Sequence, residues 1–167
     1  GMVGSINDDE TTHAGYNGNA WFDAGTNDGQ IARYDYAFGD FAFALSAQID
    51  DNGAAAGGVN SVVYGVGVKY SASLSGVNLG VGLGYMGYTN ASVWGASLSA
   101  AMDNGISAVL NYSASSGIVV NDTTHWGSGL GYAMDAFAVH ANYGSYTRDG
   151  VNNDTSGFGV AASYDLG

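Results

Sequence analysis

Apolar side chains return at every second position over stretches of about ten residues in this chain. That period commits it to extended strands whose two faces meet different surroundings. From Val77 to Met86, one face reads Val77, Leu79, Val81, Leu83, Tyr85 and the other Asn78, Gly80, Gly82, Gly84, Met86. From Val62 to Ser71, Val62, Tyr64, Val66, Val68 and Tyr70 oppose Gly65, Gly67, Lys69 and Ser71, with Val63 the exception. The same pattern runs through Ala32–Phe38, Phe41–Ile49, Trp94–Ala100, Ile106–Ser113, Phe137–Gly144 and Phe158–Asp165. Trp126–Met134 follows it less cleanly, because Ser128 falls on the apolar face. The spacing predicts about nine strands, an all-β chain.

The connections alternate in length. Short ones, rich in the Gly, Asn and Asp that tolerate tight turns, follow Phe38, Ser73, Met102 and Met134. Longer ones run over Asp50–Asn60, Ser115–Thr124 and Asp149–Ser156, with a shorter link near Asn90. A sheet built this way has a short-turn end and a long-loop end, as a transmembrane antiparallel β-barrel has short periplasmic turns and longer extracellular loops.

What fills the second face decides between a soluble sheet and a membrane wall. A soluble strand surface needs Lys, Glu and Arg. Here that face is Gly, Ser, Ala and Asn, and only 11% of all residues are charged. A soluble β-sandwich, lectin-like in function, is the competing architecture, and it fails on this face. Phe38, Phe41, Tyr132, Phe137 and Tyr164 lie beside short turns, while Tyr64, Tyr85, Tyr112 and Tyr143 lie toward the other rim or mid-strand. Amphipathic rings favour such positions at lipid headgroups. Mean hydropathy is near zero and no apolar run is long enough for a membrane helix. The expected place is the outer membrane of a Gram-negative bacterium, with its lipids as neighbours.

Charge and motifs exclude other classes. Three basic residues, Arg33, Lys69 and Arg148, stand against fifteen acidic ones, for a net charge of −12, which disfavours nucleic acid. The chain has no cysteine, hence no thiol nucleophile, disulfide or cysteine zinc site. No Gly-x-Ser-x-Gly elbow stands between a strand and a helix, and the Gly-x-Gly repeats lie inside strands rather than in phosphate loops. Nothing points to an enzyme. His13, His125 and His140 are too dispersed to suggest zinc and read as wall or loop residues. The four Asn-x-Ser/Thr matches are what an Asn-rich and Ser-rich bacterial chain gives by chance.

The first thirty residues show no alternation. They contain Asp8, Asp9, Glu10, Asp23 and Asp28 and run straight into the first strand. The acidic stretch Asn7-Asp8-Asp9-Glu10, then Gly18-Asn19, then Gly29-Gln30-Ile31-Ala32-Arg33-Tyr34-Asp35-Tyr36, resembles the alphaproteobacterial general diffusion porins. The closing run Ala161-Ala162-Ser163-Tyr164-Asp165-Leu166-Gly167 is similar to a late strand of that family. The resemblance implies a barrel of about sixteen strands, usually a homotrimer, with one long loop folded into the pore to constrict it. On this mapping residues 1–30 are most of the constriction loop and residues 31–167 are barrel strands. The sequence is then an internal portion of a longer chain, because nine strands alone would leave unpaired edges in lipid.

The mechanism so implied is passive diffusion of ions and small hydrophilic solutes. Asp8, Asp9 and Glu10, with Asp23 and Asp28 as weaker candidates, would line the negative side of the constriction and favour cations. Arg33, Asp35 and Lys69 take the inward phase of their strands, so the two cations could oppose the loop acids. The plainer readings are a solvated acidic loop, and a local ion pair between Arg33 and Asp35 two residues on. No cofactor is implied, although Asp8, Asp9 and Glu10 offer the oxygen ligands calcium takes, without EF-hand spacing. A narrower barrel serving as an anchor, adhesin or phage-receptor surface would share the strand pattern.

Overall fold

In the computed structural model the alternating stretches are paired in chain order. The structure describes residues 30–49, 63–87, 91–117, 121–150 and 154–166. Among them are nine strands: β1 (Gln30–Phe38), β2 (Phe41–Ile49), β3 (Val63–Leu74), β4 (Val77–Gly87), β5 (Ser92–Met102), β6 (Ile106–Ser116), β7 (Thr123–Met134), β8 (Phe137–Arg148) and β9 (Thr155–Tyr164). They form one antiparallel sheet in the order β1 to β9. The arc is open, since β1 and β9 are its two edges and do not pair with each other.

The short turns close β1–β2, β3–β4, β5–β6 and β7–β8 at one end. Their tightness needs left-handed backbone, supplied by Gly39 (φ 57°), Gly76 (81°) and Gly105 (85°), and by Ser75 and Asp135. Neighbouring hairpins are also tied together there. Ser71 N–H donates to Asp40 O (2.8 Å), Asp103 N–H to Gly76 O (3.0 Å), Ala133 N–H to Gly105 O (2.9 Å), and Asp165 N–H to Ala136 O (2.8 Å).

Register turns scattered rings into a belt. Tyr64, Tyr85, Trp94, Tyr112, Trp126, Tyr143 and Phe158 all lie on the outward face of successive strands β3 to β9. Tyr85 stands opposite Trp94, Tyr112 opposite Trp126 and Tyr143 opposite Phe158. Ring centroids approach to 6.1 Å for Tyr64–Tyr85, 5.3 Å for Trp94–Tyr112 and 5.2 Å for Trp126–Tyr143. Each of these three contacts crosses a step of two residues in register, because Val66 rather than Tyr64 pairs with Tyr85, Ala96 with Tyr112, and Ser128 with Tyr143. The belt therefore shifts by about one residue per strand, roughly 3.3 Å against a strand spacing of about 4.8 Å, a slope of about 35°. If the belt lies level with the bilayer surface, that slope is the strand tilt, and it matches the tilt of closed barrels.

A second set of rings lies six residues nearer the short turns on the same strands, in the pairs Tyr64/Tyr70, Trp126/Tyr132, Tyr143/Phe137 and Phe158/Tyr164. Six residues correspond to about 20 Å of strand, or about 16 Å of height at that tilt. Between the belts the outward residues are Val66, Val68, Leu130, Val139, Ala141, Val160 and Ala162, with Ser128 beside Tyr143.

Several strands run further than the alternation suggested. Leu74, expected in a turn, is the last residue of β3, and β5 to β9 extend toward the loop end to Ser92, Ser116, Thr123, Arg148 and Thr155. The physical reason is the belt. Beyond it the outward positions are Ser92, Ser116, Thr124, Thr147 and Ser156, so both faces meet water and the apolar signal ends while backbone pairing continues.

The packing is inverted relative to a soluble domain. The only buried hydrophobic side chains among the described residues are Ala44 and Val93, while Ser97, Asn111, Ser113, Ser115, Thr123 and His125 are buried. The large apolar side chains are on the outside, with Leu130 at 66% and Phe158 at 79% exposure. Hydrocarbon accepts such a surface and water does not.

Candidate functional site

The inner wall is the face of small and polar residues. Its rows cross the strands at right angles. One runs Asp35, Ala44, Gly67, Gly84, Gly95, Ser113, His125, Tyr146, Thr155, and the next runs Ala37, Ala42, Lys69, Gly82, Ser97, Asn111, Gly127, Gly144, Gly157. Glycine has a steric task where polar side chains lean sideways across the neighbouring strand. A Cβ on Gly127 would come 2.9 Å from Asn111 Oδ1, one on Gly80 2.5 Å from Ser99 Oγ, and one on Gly131 2.5 Å from Ser107 Oγ.

All three basic residues of the chain face this wall: Arg33 and Lys69, as their strand phase indicated, and Arg148, whose phase continues from His140, Asn142 and Gly144. The sequence gives that phase but no sign that the strand reaches Arg148, because the outward rings of β8 end at Tyr143. Arg33 and Asp35 form a bidentate pair, with Arg33 Nε donating to Asp35 Oδ1 (3.0 Å) and Oδ2 (2.8 Å) and Nη2 to Oδ1 (2.6 Å). This is the local pair that an i, i+2 spacing on one strand face permits. Lys69 lies between Ala42 and Gly82.

Asp8, Asp9, Glu10, His13, Asp23 and Asp28 lie outside the described residues, as does the expected constriction loop apart from Gln30, which opens β1. Among the described residues no group of three or more His, Asp or Glu could hold a metal ion. His125 and His140 lie on the wall far apart along β7 and β8, and the His125 ring packs against that of Tyr146 with centroids 4.3 Å apart and the planes tilted by 31°.

The acids of the described residues gather at the two rims. Asp40, Asp103, Asp135 and Asp165 stand at the short-turn end, and Asp122, Asp149 and Asp154 at the loop end, leaving Asp35 the one acid on the wall.

A tilted antiparallel wall with rings in two belts, an apolar outer band and a polar inner face defines a transmembrane β-barrel protein. The sequence matches the Gram-negative porin family over residues 1–167, and the chain belongs to that family. It is a protein of the Gram-negative outer membrane. The fold is similar to that of a porin whose solved structure was refined at 1.8 Å, with a TM-score of 0.60 at 18% identity. The match covers 84% of this chain and 52% of that porin, so the chain spans about half the length of the relative. No curated protein matches the sequence. The family is one of channel proteins rather than enzymes.

Proposed function

We propose that this chain forms part of the wall of a water-filled channel through which ions and small hydrophilic solutes diffuse passively across the outer membrane, in a homotrimer. The observation that carries the reading is the inverted packing: polar side chains on the enclosed face and large apolar ones on the outer face. Such a wall suits water inside and lipid outside.

The channel prefers cations. Support comes from the net charge of −12 and from acids at both rims of the sheet, against three cations on the wall. Residues 1–30 fold inward as the constriction, where Asp8, Asp9 and Glu10, with Asp23 and Asp28, form the negative side, and Arg33 and Lys69 stand on the wall they face. Conduction needs no cofactor, and calcium held by Asp8, Asp9 and Glu10 would weaken the cation preference.

The test is conductance in planar bilayers under a salt gradient. The expected result is a steady ohmic channel whose reversal potential reports cation preference. Asp8→Asn, Asp9→Asn and Glu10→Gln together move that potential toward zero. A protein that inserts but does not conduct serves instead as an anchor or receptor surface. Unchanged selectivity in the triple variant removes these acids from the constriction.

A further inference from the structure

The outward face of β5 to β9 does not end at the loop-side belt. Seven outward positions of these strands lie past their belt rings, and six of them carry a hydroxyl: Ser92, Ser116, Thr124, Ser145, Thr147 and Ser156, with Ala114 the exception. None is charged. Register sets them in facing pairs, Ser92 with Ser116, Thr124 with Thr147 and Ser145 with Ser156. They form a collar across β5 to β9, about 19 Å wide. The collar has two borders. The rings of Trp94, Trp126 and Tyr143 stand just below it, and acids return just above it at Asp122, Asp149 and Asp154.

Height shows what the collar meets. At a tilt of about 35°, a hydroxyl two residues past its ring stands about 5 Å above the belt, and one four residues past it, as in Ser116 and Thr147, about 11 Å. The polar layer of a phospholipid bilayer is about 5–8 Å deep on each side. The lower hydroxyls therefore sit among headgroups, and the upper ones stand above the depth that a phospholipid head fills. Strand surface facing bulk water carries Lys, Glu or Arg, whereas the collar keeps hydrogen-bonding groups and excludes charge at both heights. Its neighbour is thus polar, uncharged and taller than a phospholipid head. Phosphate recognition would use Lys or Arg, and all three basic residues of the chain face the inner wall.

Sugars fit both parts of this surface. Their hydroxyls exchange hydrogen bonds with serine and threonine, which donate and accept. Their C–H faces pack on rings of the kind that lie directly beneath, at the boundary between apolar and wet surroundings.

We propose that the hydroxyl collar of β5 to β9 is a docking surface for the sugar headgroups of a glycolipid in the outer leaflet, the side on which the long loops lie. The collar continues the lipid-facing band upward, so the acyl chains of the same lipid run below the rings against Leu98, Leu110 and Val160. The inference goes beyond the channel reading and concerns the outside of the wall, so it does not depend on conduction.

Two of the three tryptophans, Trp94 and Trp126, sit beneath the collar and report on it once Trp21→Phe removes the third. The protein is placed in vesicles of phosphatidylcholine with brominated acyl chains, which quench these rings, and unbrominated digalactosyl diacylglycerol is titrated in. Recovery of fluorescence should show the glycolipid favoured over unbrominated phosphatidylcholine about fivefold, what roughly one net hydrogen bond contributes. Thr124→Val and Thr147→Val combined with Ser92→Ala, Ser116→Ala, Ser145→Ala and Ser156→Ala should abolish that preference. Ser71→Ala and Ser99→Ala, on the inner wall, should leave it unchanged. Equal recovery with the two lipids in the parent protein overturns the proposal whether or not the collar variant inserts. A preference that survives in the collar variant, or a stronger one for phosphatidylglycerol with its charged phosphate, also overturns it. Free lactose at the concentration of the glycolipid should not compete, because only the lipid is held at the collar by its chains. Full competition would assign the collar to soluble sugars and overturn the lipid.

Discussion

Leu98 offers a direct test of which face meets lipid. It lies on the outward face of β5, four residues from Trp94 in the loop-side belt and four from Met102 at the short-turn end, and is 48% exposed. At a tilt of about 35° those four residues place it about 11 Å below the belt, inside the apolar band. An arginine at the midplane on the lipid face of a barrel costs about 2–4 kcal/mol, falling to about 0–1 near the interface. Leu98→Arg should therefore lower the folded-to-unfolded ratio roughly 30- to 1,000-fold. Ser92→Arg, on the same face but beyond the belt, should cost no more than about 1 kcal/mol. Ser99→Arg, adjacent in sequence but on the water-facing wall, should also stay well below Leu98→Arg. The assay is equilibrium urea unfolding in lipid vesicles, followed by tryptophan fluorescence and by the shift between folded and unfolded bands on a gel. A Leu98→Arg cost no larger than that of Ser92→Arg would refute the belt as the membrane boundary, and a Ser99→Arg cost as large as Leu98→Arg would refute the assignment of faces.

Three further outcomes follow from the geometry. Gly105→Ala puts a Cβ against the carbonyl oxygen of Ala133 at φ 85°, whereas Gly39→Ala meets open space at φ 57°. The former should destabilise by more than the ~1–2 kcal/mol of left-handed strain that the latter carries, measured in the same unfolding assay. Gly87→Ala would meet only the ring end of Tyr64, a side chain that can swing away into lipid, so it should cost less than Gly105→Ala by that assay. Arg33→Ala leaves Asp35 without its bidentate partner on the wall and should raise cation over anion permeability, while Asp35→Asn should lower it. Reversal potentials check both signs, and no change in either would show that this pair lies away from the ion path.

The features legible in the sequence were those that depend on one strand at a time. The faces of β4 could be read because lipid demands an apolar residue at every second position, and the pairing of Arg33 with Asp35 because both lie on one face two residues apart. Strand ends were less legible. Beyond Trp94 and Tyr143 the outward side chains are serine and threonine, and a stretch polar on both faces looks like a loop. Continuity of the aromatic belt was hidden because it depends on register between strands. Trp94 and Tyr112 become neighbours only once Ala96 is paired with Tyr112. The buried polar cluster on β6 and β7 was hidden for a similar reason. Asn111, Ser113 and His125 are ordinary wall residues until burial marks them, and their one sequence signal was polar side chains facing Gly95 and Gly127 on the adjoining strands.

The inverted packing has a consequence for how this protein comes to be folded. A soluble domain gathers its apolar side chains in the middle, so collapse in water and formation of the sheet favour each other. Here just two hydrophobic side chains among the described residues are buried, and the rest of the apolar surface can leave water only by entering lipid. Before insertion, folding brings little of the usual gain from burial. The two strand edges β1 and β9 cannot rest unpaired in hydrocarbon either. Insertion and edge closure are therefore coupled, and conditions that slow either one leave a sticky, half-paired sheet that needs escort to the membrane.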